Sequence, residues 1–183
     1  MGCCTAPLQS APVTLVQMLE RREARVAAQQ ALRARHGRTL LQLTLVNPGP
    51  VKDSAAMRYV FQQGLAALDQ RFATVGMQVL VREAACHLTG PEALWVLSAD
   101  ALALKREAIA LEEGHPLGRL WDVDVIGADG RSISRQQLGL PPRTCLLCDQ
   151  PAHVCSRNRS HALADLQRAI QDRIDAHRNP LAD

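Results

Sequence analysis

Two aspartates separated by one residue are the best candidates for metal chemistry in this chain. Asp122 and Asp124 belong to residues 121–125, where apolar and acidic side chains alternate. Successive side chains of a β-strand point to opposite faces, so a strand here would place both carboxylates on one face. Such a pair of hard oxygen ligands suits Mg²⁺, which can orient and neutralise a phosphoryl group. The alternative is a strand with a solvated polar face, which the spacing alone favours.

Basic residues near the start of a helix are candidates for binding an anion. Lys52 follows the rigid Pro-Gly-Pro turn at residues 48–50. It precedes a helix start, where free backbone N–H groups and the helix dipole attract negative charge. Arg58 lies further along the same helix and could contact the same anion. A solvated lysine beside an ordinary capped helix is the alternative.

Three more candidates flank the acidic strand. Arg119 lies three residues before Asp122, where its guanidinium could stabilise phosphate oxygens or pair with the carboxylates. Arg135 would end a strand that returns beside the acidic one, although arginines there are often only exposed. His115 could act as a general base or merely cap a helix. The predicted catalytic residues are Asp122, Asp124 and Arg119, and the predicted substrate-binding residues are Lys52, Arg58, Arg135 and His115.

A cysteine-rich segment supplies a second set of possible metal ligands. Cys145, Cys148, Cys155 and His161 lie close together in the sequence, and three thiolates with one imidazole suit tetrahedral Zn²⁺. His153 is an alternative fourth ligand. The second half of the segment does not repeat the CxxC spacing, so structural zinc and reduced, partly buried thiols both stay open. Zinc here would hold the final helix in place.

The composition limits the classes of partner. Lysine plus arginine outnumber aspartate plus glutamate by 21 to 18 in 183 residues, and aromatic residues make up 3%. This balance suits a phosphorylated small molecule or an acidic protein, and it argues against nucleic acid. No long apolar run or secretory signal occurs, so we expect no membrane association and a cytoplasmic location. The start of the chain departs from the myristoylation pattern at Ala6, and residues 1–6 are expected to be frayed.

Hydrophobic periodicity predicts interleaved helices and strands. Helices are expected from Thr14 to Gly37, from Asp53 or Ser54 to Gly76, over 101–113 and over 162–177. Strands are expected over 39–46, 77–85, 93–98 and 121–126, with 131–134 returning antiparallel. Two hairpins break any regular βαβ alternation, which favours an α+β fold with a mixed or antiparallel sheet. The first helix is expected to lie on the core through Leu15, Met18, Leu19 and Val26.

Three stretches around these candidates together resemble one enzyme family. They are HPLGRLWDVDV at residues 115–125, PGPVKDS at 48–54 followed by Arg58, Phe61 and Gly64, and ISR at 133–135 continuing to PPRTCLLC at 141–148. In this order and spacing they resemble the citrate lyase holo-acyl-carrier-protein synthase family, also called apo-citrate lyase phosphoribosyl-dephospho-CoA transferases. The resemblance spans roughly residues 14–170.

The resemblance implies an enzyme that joins 2'-(5''-triphosphoribosyl)-3'-dephospho-CoA to a serine of the acyl-carrier subunit of apo-citrate lyase, with release of pyrophosphate. It implies that Asp122 and Asp124, at the W-D-x-D positions of the family, bind Mg²⁺. It also favours Lys52 as a ligand of the triphosphate. Arg157 and Arg159 could then contact an acidic carrier protein.

The pattern is also similar to nucleotidyltransferases, in which an acidic D-x-D strand follows a glycine-serine turn. Here Arg119 follows Gly118, and no third carboxylate is evident. We therefore expect a nucleotidyltransferase-like mixed sheet flanked by helices, with residues 1–140 as the catalytic domain and 141–183 as a cysteine-rich segment and helix packed on it. The alternatives are the same transfer to the carrier of malonate decarboxylase, and a non-catalytic adaptor that binds a carrier protein.

Overall fold

A computed structural model describes residues 7–179 and shows an α+β arrangement. The elements in chain order are α1 (Leu15–His36), β1 (Thr39–Leu45), α2 (Ala55–Thr74), β2 (Gln78–His87), β3 (Gly90–Ser98), α3 (Ala101–Gly114), β4 (Trp121–Ile126), α4 (Ala152–Asn158) and α5 (Leu163–Arg178). The expectation for residues 1–6 lies outside the described residues. The short helix α4, inside the cysteine-rich segment, was not predicted.

Local side-chain hydrogen bonds determine where the first two helices begin. The Thr14 hydroxyl accepts the Gln17 N–H at 3.2 Å, and the Gln17 side chain accepts the Thr14 N–H at 2.8 Å. Ser54 accepts the Met57 N–H at 3.2 Å. Each bond satisfies an N–H group that the helix itself leaves free, so the starts predicted at Thr14 and Ser54 are confirmed. In the described part of the chain, no helix has the length and apolar character needed to cross a membrane.

The four strands form one sheet in the order β2-β3-β1-β4, and every neighbouring pair is antiparallel. The β2–β3 hairpin is confirmed. Of the two sheets that the sequence left open the structure has the antiparallel one, so the mixed sheet expected with a nucleotidyltransferase-like fold is wrong. Helical crossovers through α2 and α3 each join two strands that run the same way. In both cases an antiparallel strand lies between them, so no parallel pair forms.

The main core lies between one face of the sheet and helices α2, α3 and α5. Its largest fully buried side chains include Trp95, Trp121, Phe61 and Phe72. Ile170 and Ile174 of α5 belong to the same cluster. The helix that follows the cysteine-rich segment therefore packs on the core of the sheet.

Helix α1 lies over the opposite face, and the expectation that it contacts a core through Leu15, Met18, Leu19 and Val26 is wrong, although Met18 is half-buried. The predicted inward residues Leu15, Leu19 and Val26 are 75%, 49% and 43% exposed. Within α1 only Leu32 is buried, next to apolar residues of β1, β3 and β4. Nearer its start the helix faces polar side chains, and Arg21 and Arg25 there contact Glu92 of β3.

The return segment after β4 is shorter than predicted. It pairs with β4 through one antiparallel bridge, between Ile126 and Ser132. The Ile133 N–H also donates to the Val125 carbonyl at 2.8 Å. The rest of the outer edge of β4 is left to other partners.

Candidate functional site

Asp122 and Asp124 project from the face of the sheet that α1 covers. On β1 their partners in the sheet register are Thr44 and Gln42. The Thr44 hydroxyl donates to Asp122 Oδ2 at 3.4 Å. Val123, between the two aspartates, is buried in the core on the other face. The alternation predicted from the sequence is confirmed.

Asp122 lines a cleft of about 230 Å³ between α1, the end of β1 and the β2–β3 turn. This cleft, called the Lys52 cleft below, is also lined by Lys52, Arg25 and Glu92. Asp124 lines a neighbouring cavity of about 260 Å³ that Arg33 also borders. Both carboxylates therefore lie beneath α1, next to its basic side chains.

Lys52 supplies an unpaired positive charge to the cleft. Its Nζ donates to the Asn47 carbonyl, and among residues 7–179 it has no acidic partner within ion-pair distance. Burial lowers the pKa of Lys52. An anion entering the cleft would meet this ammonium group without first displacing a carboxylate.

Arg25 and Glu92 complete the cleft but were not among the candidates from the sequence. Glu92 is buried and accepts from Arg21, and Arg25 Nε lies 3.5 Å from its other carboxylate oxygen. In sequence, both arginines look like the solvated face of an amphipathic helix. Because Glu92 is about 70 residues away in the chain, no local pattern could have joined them.

The charge of Asp122 affects the ionisation of Asp124. Burial and the charge of Asp122 raise the pKa of Asp124, while Lys105 and Arg25 oppose the shift. A divalent cation bound beside Asp124 would favour the ionised form of this carboxylate. No third histidine, cysteine or acidic residue joins this pair to form a larger ligand group within residues 7–179.

Two buried charges of α3 hold the peptide between the aspartates. β4 is an edge strand, and Lys105 Nζ donates to the Val123 carbonyl at 2.7 Å. Glu112 Oε1 accepts the Val123 N–H at 3.1 Å. Lys105 and Glu112 are only 7% and 5% exposed. This Lys105–Glu112 clamp satisfies backbone groups that no neighbouring strand pairs, and it fixes the segment from which both carboxylates project.

Arg119 connects the turn before β4 to the cysteine-rich segment. Its guanidinium donates to the carbonyls of Thr144 and Cys145, the latter at 3.2 Å. Arg143 returns the contact by donating to the Arg119 carbonyl at 2.7 Å. Burial and the charge of Arg143 lower the pKa of Arg119. Among the described contacts none joins Arg119 to Asp122 or Asp124, so its catalytic role stays a prediction.

Arg58 and Arg135 also have structural partners. Arg58 is buried and donates to both carboxylate oxygens of Asp53, at 2.7 and 2.6 Å. Arg135 pairs with Glu113 and lies 3.6 Å from Glu112. Neither arginine lines the Lys52 cleft. Their predicted role in binding the substrate stays a prediction, because neither side chain lies in the wall of this cleft.

His115 lies on the core side of the sheet. Its Nδ1 accepts the Leu117 N–H at 3.0 Å, and its ring lies 4.5 Å from that of Trp121 and 5.3 Å from that of His177. Burial and the neighbouring His177 lower the pKa of His115. The structure does not bring this imidazole together with the acidic pair.

The cysteine-rich segment brings four ligand atoms together. Cys145, Cys148, Cys155 and His161 place them within 4.8 Å of one another. Cys148 Sγ lies 3.6 Å from Cys155 Sγ and 3.3 Å from His161 Nε2. Ligand atoms about 2.0–2.3 Å from a tetrahedral zinc lie about 3.3–3.8 Å apart. The cluster could therefore bind a metal such as zinc, with His161 rather than the exposed His153 as its imidazole.

The thiols of Cys145 and Cys155 differ in pKa. Burial raises the pKa of Cys145, but hydrogen bonds from the backbone of Leu147 and Cys148 outweigh it and lower the value to about 7. Burial and the neighbouring thiols raise the pKa of Cys155 to about 11. A cation among the three sulfurs would stabilise all of them as thiolates.

Known proteins resemble this chain across these elements. Residues 13–177 match the family described as apo-citrate lyase phosphoribosyl-dephospho-CoA transferase. A protein of that name from Escherichia coli O139:H28 is 41% identical over 167 residues, which cover 90% of this chain and 91% of the relative. One from Escherichia coli O7:K1 is 42% identical, and one from Shigella boydii serotype 18 is 41% identical, with the same coverage.

Proposed function

The chain belongs to the apo-citrate lyase phosphoribosyl-dephospho-CoA transferase family, and we propose that it attaches this prosthetic group to the acyl-carrier subunit of apo-citrate lyase. The donor is 2'-(5''-triphosphoribosyl)-3'-dephospho-CoA, the acceptor is a serine of the carrier, and pyrophosphate leaves. The observation that supports this site is the cleft in which Asp122 and Lys52 meet beneath α1, with Asp124 beside it.

Asp122 and Asp124 are proposed to hold Mg²⁺. When bound, this ion neutralises charge on the phosphoryl group in transfer. The pair suits a hard cation because its carboxylates share one face and burial together with the Asp122 charge hinders ionisation of Asp124. Lys52 and Arg25 then bind the triphosphate oxygens from the other walls of the cleft.

The proposed reaction is an in-line displacement at the phosphorus bonded to the ribose 5''-oxygen. The serine oxygen forms a bond to this phosphorus as its proton passes to water, and the bond to the pyrophosphate oxygen breaks. Lys52 and Arg25 hold the departing phosphates, so the cleft positions the group that leaves. His115 packs against Trp121 on the opposite face of the sheet, so we do not assign it the serine proton.

The cysteine cluster is proposed to be a structural zinc site. Its four ligands connect the segment that Arg119 and Arg143 attach to β4 with the start of α5. A bound ion there would stabilise the fold and take no part in the transfer. We further propose that residues 1–140 are a nucleotidyltransferase-like catalytic domain with 141–183 packed on it, and that the protein works in the cytoplasm.

The test is the mass of apo-carrier after incubation with the chain, the triphosphoribosyl donor and Mg²⁺. We expect a mass gain of one prosthetic group with the wild type. Asp122→Asn should lose at least about 100-fold in rate because it removes a metal ligand, whereas Asp129→Asn, in the exposed turn after β4, should not. A carrier whose mass never changes with the wild type would refute the proposal.

The same assay separates the two alternatives. The carrier of malonate decarboxylase, offered with the same donor, should remain unmodified or react much more slowly than the citrate lyase carrier. A non-catalytic adaptor would bind carrier but leave its mass unchanged in every case. Retained carrier binding with lost transfer in Asp122→Asn therefore supports the enzyme.

A further inference from the structure

A second cavity adjoins the Lys52 cleft at Asn47. It is a groove of about 570 Å³ between residues 46–48, the cysteine-rich segment and the start of α5. Asn47 lines both cavities. A single ligand could therefore extend from the charged cleft into this groove, which is called the Asn47 groove below.

The two cavities differ in chemistry. Most of the wall of the Asn47 groove is apolar and comes from Val46, Pro48, Leu146, Leu163 and Leu166, and Cys145, Cys155 and His161 of the cysteine cluster also line it. Leu163 is 43% exposed although it lines the groove. Arg159 is the only arginine or lysine among the lining residues. A volume in this range and an apolar lining with few polar groups are typical of small-molecule sites.

The wall between the cavities is held in place from both sides. Gly49 has φ +95°, and a Cβ there would lie 2.9 Å from Gln167 Nε2 and 3.6 Å from Leu163 Cδ1. The loop thus rests directly against α5. On the other side, the Asn47 amide donates to the Lys52 carbonyl at 3.3 Å, and Lys52 Nζ donates to the Asn47 carbonyl. The cleft and the groove therefore have a fixed relative position.

We propose that the Asn47 groove binds the pantetheine arm of the donor, an inference that rests on the proposed function. The donor carries its triphosphate at one end and an uncharged chain of methylene, amide and thiol groups at the other. The charged cleft suits the first end, and the adjoining aliphatic groove suits the second. An acidic carrier surface would fit this groove less well, because Arg159 alone offers it a permanent positive charge.

The arm should contribute measurably to donor recognition. Burying the methylene and methyl groups of the arm removes on the order of 100 Å² of apolar surface from water, which corresponds to about 30-fold or more in binding. The wild type should therefore use the full donor about 30-fold better, in kcat/KM, than an analogue that ends at the adenosine 5'-diphosphate and so lacks only the pantetheine. The triphosphoribosyl group is the same in both compounds.

The test compares Leu163→Asp with Leu102→Asp. Both leucines are exposed and lie in the first turn of a helix, where aspartate is favourable. Leu102 belongs to α3 and does not line the groove. We expect Leu163→Asp to lower kcat/KM about 10-fold for the full donor, because it places a charge beside the apolar arm, and to leave the truncated donor unchanged. Leu102→Asp should alter neither. Metal content and melting temperature are measured for both variants.

Binding of dephospho-CoA itself, by calorimetry, provides a readout that does not need turnover. The wild type should bind it more tightly than ADP, which lacks only the pantetheine, and Leu163→Asp should abolish that difference. Equal use of both donors by the wild type, or an equal loss with both in Leu163→Asp, would overturn the proposal. A raised KM for the carrier in that variant would identify the groove as a carrier site instead. Absence of any transfer refutes the proposed function, while dephospho-CoA binding still decides the role of the groove.

Discussion

Lys105→Met should loosen the segment of β4 from which Asp122 and Asp124 project. The substitution removes the ammonium group that donates to the Val123 carbonyl at 2.7 Å, in a site where Lys105 is 7% exposed. Methionine has a similar shape, so the change leaves little empty volume. It does leave a buried carbonyl without its donor, and it removes a positive charge near Glu112.

The expected loss of stability follows from these contacts. A hydrogen bond from a charged donor contributes about 1.5–3 kcal/mol. Glu112 keeps the guanidinium groups of Arg135 and Arg143 at 3.6 and 3.8 Å, which limits the cost of its lost neighbour. We expect a decrease of about 2–3 kcal/mol in the free energy of unfolding, which a domain of ordinary stability survives at 25 °C.

The effect on transfer should exceed the effect on folding. Val123 lies between the two proposed metal ligands, and a misplacement of about 1 Å at reacting groups can cost about 100-fold in rate. Lys105→Met should therefore raise the Mg²⁺ concentration needed for half-maximal transfer and lower kcat, both measured at saturating donor. Arg106→Met removes a neighbouring exposed cation of α3 and should change neither quantity.

The outcome that would refute this reasoning is specific. If Lys105→Met melts at a lower temperature yet keeps the wild-type kcat and Mg²⁺ dependence, the Lys105–Glu112 clamp stabilises β4 without positioning its carboxylates. Glu112→Gln offers a second comparison. Its side-chain oxygen can still accept the Val123 N–H, so its loss of transfer should be smaller than that of Lys105→Met.

Three further predictions follow from the site and its supports. At limiting Mg²⁺, the transfer rate should fall on acidification at a pH above the usual aspartate pKa of about 4, because Asp124 must be deprotonated to bind the ion and its pKa is raised. Excess Mg²⁺ should move this fall in rate to lower pH. A fall in rate at the same pH with excess Mg²⁺ would contradict the assignment of Asp124 as a metal ligand. Wild-type protein should contain one zinc per chain by elemental analysis, whereas Cys148→Ser should lose the metal and melt several degrees lower. If the wild type melts at the same temperature with and without metal, the structural zinc is excluded. Gly118→Ala should lower the free energy of unfolding, measured by chemical denaturation, by about 1–3 kcal/mol, since its Cβ would lie 2.6 Å from the Glu112 carbonyl oxygen. Gly114→Ala, whose Cβ would have nothing within 4 Å, should leave it unchanged. Equal stabilities of the two variants would show that the turn before β4 can shift freely.

Short-range sequence patterns determined much of the secondary structure. The helix starts at Thr14 and Ser54 depend on hydrogen bonds across three residues, and such caps can be recognised from residue type and spacing. The alternation that places Asp122 and Asp124 on one face depends only on the geometry of an extended chain. The four ligands of the cysteine cluster could also be predicted from the sequence, because they lie within one short segment of the chain.

The exposure of α1 and the order of the strands were decided by tertiary structure. A periodic apolar stripe predicts a buried helix face only if the surface opposite is apolar. The face of the sheet beneath the start of α1 is polar, so Leu15 and Leu19 remain exposed. Likewise, helical crossovers do not reveal that an antiparallel strand lies between the strands they join.

The partners of the candidate site also required the folded chain. Lys52 and Asp122 could be identified as candidates from the sequence. Arg25 could not, because it lies in the same cleft beside Glu92, a residue of a distant strand. Arg119, adjacent to the acidic strand in sequence, contacts Thr144 instead. Local periodicity determines which way a side chain points from its own element. Which elements it then meets depends on strand order and register, and these arise from contacts between residues far apart in the chain.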